Sequence, residues 1–96
     1  MLDSIDHVNI VVADLDRMAD FYTRLLGMKI TKRVSISGPW IDLTVGLRNV
    51  RADVIYMDLP AGPRIELIRY NRPSHERPEG LGESNMPGLR HLAFKV

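Results

Sequence analysis

Two octapeptides near opposite ends of this chain, Ile5-Asp6-His7-Val8-Asn9-Ile10-Val11-Val12 and Leu89-Arg90-His91-Leu92-Ala93-Phe94-Lys95-Val96, share one outline. Successive side chains on a strand point to opposite faces. In the first copy Val8, Ile10 and Val12 therefore oppose His7, Asn9 and Val11, and in the second Leu92, Phe94 and Val96 oppose His91, Ala93 and Lys95. An apolar back that can pack on a helix, and a front that carries one imidazole, thus occur twice, the pattern of a long-period internal duplication. The second copy ends with its first strand.

The 96 residues make one modest domain, able to bury roughly 60 to 65% of its unfolded surface. With 13 basic and 12 acidic side chains the formal net charge is +1, which sets up no field to attract nucleic acid or an anionic membrane, so neither is expected as a partner. The absence of cysteine excludes disulfides and thiol nucleophiles, and leaves only nitrogen and oxygen to bind a metal. No leader-like segment precedes the first strand and no apolar run approaches the roughly 20 residues of a membrane span. A soluble, cytoplasmic protein is the expectation.

Beyond the first strand, Asp14 can cap and Asp16 can complement the positive end of a helix expected from Leu15 to Leu26,. Leu15, Met18, Ala19, Tyr22, Leu25 and Leu26 keep the 3.6-residue spacing of one buried face,, and Gly27 suits a left-handed helix end. Lys29 to Ile36 alternates as a strand with one wet face,. Ser37-Gly38-Pro39 breaks it, and Pro39 can open a short helix through Trp40, Ile41, Leu43 and Thr44, with a strand as the alternative,. Ala52 to Asp58 and Arg64 to Tyr70 form a hairpin about Leu59-Pro60-Ala61-Gly62-Pro63,. The reading is α+β: a βαβββ module over residues 1–70, a Pro/Gly-rich linker over 71–88, and over 89–96 the first strand of an incomplete second module.

Imidazole is the commonest metal ligand, and His7 and His91 occupy matched positions of the two copies, which a local two-fold would bring together. Glu66 is a carboxylate within an otherwise apolar strand, a place where a carboxylate needs a partner. That partner is either a metal or an arginine of a neighbouring strand, Arg33 or Arg51,. Two histidines and a glutamate on strands compose a set for zinc, nickel, cobalt, manganese or iron. Asn9 orients a ligand or makes a cross-strand hydrogen bond; Trp40 lines a substrate cavity or joins the core; Tyr70 belongs to the substrate side of the sheet. Arg69, Arg72, His75 and Arg77 read as a solvated group,.

The order His7-Val8-Asn9-Ile10-Val11-Val12, Asp14-Leu15-Asp16, Phe21-Tyr22, Leu25-Leu26-Gly27-Met28, Ile65-Glu66-Leu67 and His91-Leu92-Ala93-Phe94 resembles the vicinal oxygen chelate superfamily. That group holds glyoxalase I, methylmalonyl-CoA epimerase, extradiol dioxygenases and bleomycin-resistance proteins. The resemblance implies two βαβββ modules around a divalent metal, with His7 and Glu66 as the ligand pair of the first and His91 as the first ligand of the second. The fourth, a glutamate that can double as base, would lie beyond Val96. A glutamate at position 66 favours the glyoxalase or epimerase branch over dioxygenases. The implied activity is that of a lyase or isomerase that removes a proton beside a carbonyl of a small-molecule substrate. The rival reading is a metal-free binding protein of the bleomycin-resistance type. A concave face with Val11, Ile68, Tyr70 and Trp40 that lacks a covering module, together with an unpaired last strand, leads to a homodimer as the expected assembly.

Overall fold

The alternating segments assemble as one mixed sheet in the computed structural model, which describes residues 1–96. In chain order the elements are β1 (His7–Val11), α1 (Leu15–Asp20), β2 (Lys29–Ser37), α2 (Pro39–Val45), β3 (Arg51–Asp58) and β4 (Arg64–Arg72). The strands lie in the order β1-β4-β3-β2. β1 runs parallel to β4, so the connection between them must cross over the sheet, while β2, β3 and β4 form an antiparallel meander.

Register sorts the side chains onto two faces. Val8 pairs with Ile65 and Ile10 with Leu67, and Leu67 pairs with Ile55 and Ile65 with Met57, so these residues share a face. Ile65, Leu67, Ile55 and Met57 are buried there beneath Leu15, Ala19 and Tyr22, with Met28 closing the group. Fully burying each such side chain stabilises the fold by about 1.5–3 kcal/mol. The opposite face carries His7, Asn9, Arg64, Glu66 and Tyr56 at the β1 end of the sheet. Beyond them lie Ala52, Val54 and Ile68, covered by Ile41 of α2 and by Val50. α2 therefore covers only part of this second face.

The capping and turn chemistry explains the element ends. The Asp14 carboxylate accepts from the Arg17 amide at 3.1 Å and starts α1,. Pro39 stands in the first turn of α2 and Gly46, with φ of 71°, closes it; of the two readings of this stretch, the helix is the one that forms. Asp42 then accepts from the amides of Asn49 and Val50 at 3.0 and 2.8 Å, which fixes the approach to β3.

The expected helix from Leu15 to Leu26 forms but changes type partway. After Asp20 the chain widens into a π-type turn over Phe21–Leu25. The Thr23 hydroxyl donates to the Ala19 carbonyl at 2.8 Å, competing for the acceptor that a regular helical amide would use. Leu25 and Leu26 consequently leave the buried stripe, with Leu25 being 74% exposed.

The C-terminal stretch stands apart from this sheet. Leu89 to Val96 joins neither edge of the sheet; a strand requires a neighbour, and Phe94 instead sets its ring edge-on to Tyr22 of the turn after α1, with centroids 6.4 Å apart. The linker is organised by Arg90, whose guanidinium donates to the carbonyls of Leu81, Met86 and Glu83 at 2.8, 3.3 and 3.2 Å. No helix is long and apolar enough to cross a membrane.

Candidate metal and substrate face

Parity along β1 and β4 places His7 and Glu66 on the same face. β1 is parallel to β4 with Asn9 opposite Glu66, so His7 reaches the glutamate diagonally from two residues back. His7 Nε2 stands 3.5 Å from Glu66 Oε2, and Asn9 Nδ2 donates to Glu66 Oε1. Only 13% of the Glu66 side chain is exposed. Such a carboxylate needs partners to offset lost hydration, and it finds them in Asn9 and Tyr56.

The arginines considered for Glu66 are excluded by register, Arg33 by its face and Arg51 by its distance along the ladder. Arg33 pairs with Ile55 and so lies on the α1 face, near Asp16 at 4.0 Å. Arg51 pairs with Arg72 at the far end of the β3–β4 ladder.

On its other side the His7 ring is anchored by the residue before it: Nδ1 lies 2.6 Å from Asp6 Oδ2. The same carboxylate oxygen accepts from Arg64 Nη2 at 2.9 Å, and the Arg64 amide donates to the Asp6 carbonyl at 3.1 Å. The hydrogen bond from His7, then the Arg64 guanidinium, hold the Asp6 carboxyl below its ordinary value of 3.8. Arg64 in turn stacks over the Tyr56 ring at 4.8 Å, an arrangement in which the ring face attracts the cation. His7 meets Tyr56 edge-on with centroids 6.0 Å apart. Hydrogen bonding to the Glu66 carboxylate, with burial second, pushes the Tyr56 hydroxyl up to about 12. It is a neutral donor at physiological pH.

Asp6, Tyr56 and Arg64 were not singled out in the sequence, yet they complete the surroundings of the two expected ligands. The detectable signal is in the hairpin: a register that pairs Met57 with Ile65 necessarily sets Tyr56 opposite Glu66.

The remaining expected residues are dispersed. His91 lies outside the sheet, and no group of three His, Cys, Asp or Glu side chains is gathered to hold a metal ion. Within this chain His7 and Glu66 are therefore brought together as two candidate donors only. Their nitrogen and oxygen donors fit a borderline divalent cation, and a histidine whose second nitrogen is held by a carboxylate is the usual support for such a ligand. Trp40 belongs neither to the core nor to this cluster, standing 58% exposed on α2. Tyr70 shares the face of Glu66 but packs half-buried with the Ile41 and Val50 group, four residues further along β4, or about 13 Å at the usual strand rise.

Comparison with known proteins agrees with this architecture. The crystal structure of a glyoxalase family protein from Bacillus cereus superposes with a TM-score of 0.82 at 29% sequence identity, covering 93% of this chain and 60% of that one. The chain thus spans less than two thirds of that protein's length. No protein of curated function matches. The model of the glyoxalase/bleomycin resistance protein/dioxygenase superfamily matches residues 4–96. With nearly its whole length matched and its βαβββ sheet in place, the chain belongs to the glyoxalase/bleomycin resistance protein/dioxygenase superfamily.

Proposed function

We propose that the face bearing His7 and Glu66 is half of the divalent-metal centre of a glyoxalase- or epimerase-like lyase or isomerase. The observation that carries the reading is the convergence of His7 Nε2 and Glu66 Oε2 to 3.5 Å from adjacent strands, each supported by its own second partner. His91 is the proposed third donor, delivered by residues 89–96 acting as the first strand of a second module. The ion, when bound, supplies a Lewis acid for the oxygens of a substrate beside whose carbonyl a proton is removed.

The chain's own residues have separable tasks in this scheme. Asn9 restrains one oxygen of Glu66 and leaves the other directed at His7. The Tyr56 hydroxyl, kept protonated by its hydrogen bond to the Glu66 carboxylate, holds that carboxylate in place from β3. Val11, exposed on the same face and paired with Ile68, begins an apolar floor for the carbon skeleton of a small molecule. Trp40 and Tyr70 border that floor in this proposal. The working assembly is a cytoplasmic homodimer in which a neighbouring module covers the face.

The second reading, a metal-free binding protein, is favoured by one observation: no third donor joins His7 and Glu66 within this chain. Metal analysis of protein purified without chelators separates the two. The enzyme reading expects bound zinc, nickel, cobalt, manganese or iron, with marked loss on His7→Ala or Glu66→Ala. Unchanged metal content in both variants refutes it.

A further inference from the structure

We propose that Asp6 is a positioning residue that fixes His7 in the tautomer protonated at Nδ1, so that an unprotonated Nε2 is turned toward Glu66, and that Arg64 holds Asp6 in place for this task. The inference deepens the proposed metal-site reading and rests on it for its functional meaning.

A neutral imidazole has one proton to place, and two carboxylates compete for it. At the Nδ1 side Asp6 Oδ2 lies 2.6 Å away, well within hydrogen-bond range; at the Nε2 side Glu66 Oε2 is 3.5 Å away, beyond it,. The demand for donors differs too. Glu66 already receives Asn9 and lies beside the Tyr56 hydroxyl. Placing the proton on Nδ1 therefore gives a short charge-assisted bond to Asp6 and leaves the Nε2 lone pair on the Glu66 side, where a cation would meet both donors,. Only a nitrogen with a free lone pair can serve as a ligand.

Asp6 precedes the first residue of β1 and is itself largely exposed. A carboxylate in that position would ordinarily sample several rotamers. Here two contacts from β4 restrain it: the Arg64 guanidinium at 2.9 Å on the same oxygen that meets His7, and the Arg64 amide at 3.1 Å on the Asp6 carbonyl. The guanidinium is in turn seated on the Tyr56 ring. The chain of contacts thus runs from β3 through β4 to the imidazole on β1, and it specifies a tautomer through neighbours on the sheet.

The test is long-range proton–nitrogen correlation NMR on the metal-free 96-residue protein with labelled histidine, about two pH units above the ordinary imidazole value of ~6.5. Wild-type His7 should show its proton on Nδ1. Asp6→Ala should move it to Nε2, the form a free histidine side chain favours, whereas Asp6→Asn should retain the Nδ1 form because its amide oxygen still accepts. Arg64→Gln should give a mixture. His75 and His91 signals and the backbone amide dispersion serve as folding controls. A wild-type His7 protonated on Nε2, or an Asp6→Ala spectrum identical to wild type, overturns the inference.

Zinc titration of the same samples separates this inference from the metal reading. Loss of a ligand's outer partner should weaken metal binding about 10–100-fold, with Asp6→Asn recovering most of it. If wild type shows the expected tautomer pattern but binds no zinc, the positioning role stands and the metal reading fails. If wild type binds zinc while Asp6→Ala alters neither tautomer nor affinity, the metal reading stands and the positioning role fails.

Discussion

Adjacent residues of β4 should respond to truncation in opposite ways. Leu67 is fully buried under α1, paired laterally with Ile10 and Ile55. Leu67→Ala removes three carbon groups at about 0.8 kcal/mol each, or ~2.4 kcal/mol of transfer energy. If about 50 Å³ of the vacated space persists, the cavity adds ~1.2 kcal/mol at the usual ~24 cal/mol per Å³. A total of ~3.6 kcal/mol is a large part of the ~5–15 kcal/mol that stabilises a small domain, and corresponds to a fall in Tm of about 15–30 °C. Glu66→Ala leaves the core untouched, and its surviving partners can turn to water, so its cost should be about 1 kcal/mol. Its metal content, by contrast, should collapse. Urea unfolding followed by far-ultraviolet circular dichroism gives the stabilities, and elemental analysis the metal. Equal destabilisation by the two variants, or a larger loss for Glu66→Ala, would show that the register assigning Glu66 to one face and Leu67 to the other is wrong.

Three further outcomes follow from the same geometry. Hydrogen bonds from Asn71 and then Ser35 hold the Asp53 carboxyl below its ordinary 3.8, so its contribution to stability is complete above 3.8 and fades as pH falls through the lower folded value. Asp53→Asn should therefore be less stable than wild type near neutrality, and urea midpoints that diverge rather than converge on acidification would contradict this. Arg90→Ala should free the Leu81, Glu83 and Met86 carbonyls and speed limited proteolysis within residues 71–88 ahead of any cut in β3; unchanged cleavage kinetics would count against its bracing role. Sedimentation equilibrium should report a homodimer, and a folded species at the monomer mass of 10.9 kDa across micromolar concentrations would refute the assembly.

What was legible in the sequence was what strand alternation and turn residues control. The two-residue period over Ala52–Asp58 and Arg64–Tyr70 located the central hairpin, and the same period in β1 separated Val8 and Ile10 from His7 and Asn9, as the packing bears out. The helical span from Leu15 to about Leu26 is legible, but its change from α to π after Asp20 is not, because hydrophobic spacing counts positions and is blind to hydrogen bonds. Leu25 and Leu26 continue the stripe in sequence, but the bond from Thr23 to the Ala19 carbonyl widens the turn beneath them. The need of Glu66 for a partner is legible from its apolar neighbours, and whether an arginine can supply it is decided by parity across strands. With Tyr56 opposite Glu66, the alternation carries Lys32 to that face and Arg33 to the other, so Arg33 was never a geometrically available partner.

Asp6 and the C-terminal segment show a different limit, in that each is decided by a neighbour remote in sequence. Strand alternation would send Asp6 to the face opposite His7, yet the ladder begins at His7, and an unladdered residue is free to turn its side chain back along the edge. What turns it is Arg64, 58 positions away. Leu89 to Val96 has the pattern of a strand, but pattern supplies only one side of a ladder; the other must come from an edge in suitable register. β1 and β2 are the two edges of this sheet, and the segment is drawn instead to the α1 side, where Phe94 gains an aromatic contact with Tyr22. An edge-on pair of this kind contributes about 0.5–1.5 kcal/mol beyond the area it buries. A ladder of several backbone hydrogen bonds, each worth about 0.5–1.5 kcal/mol net, would outweigh it once a complementary edge is offered. The release of Phe94 from Tyr22 and the delivery of His91 toward the His7–Glu66 face would then be a single rearrangement, driven by strand pairing rather than by the metal.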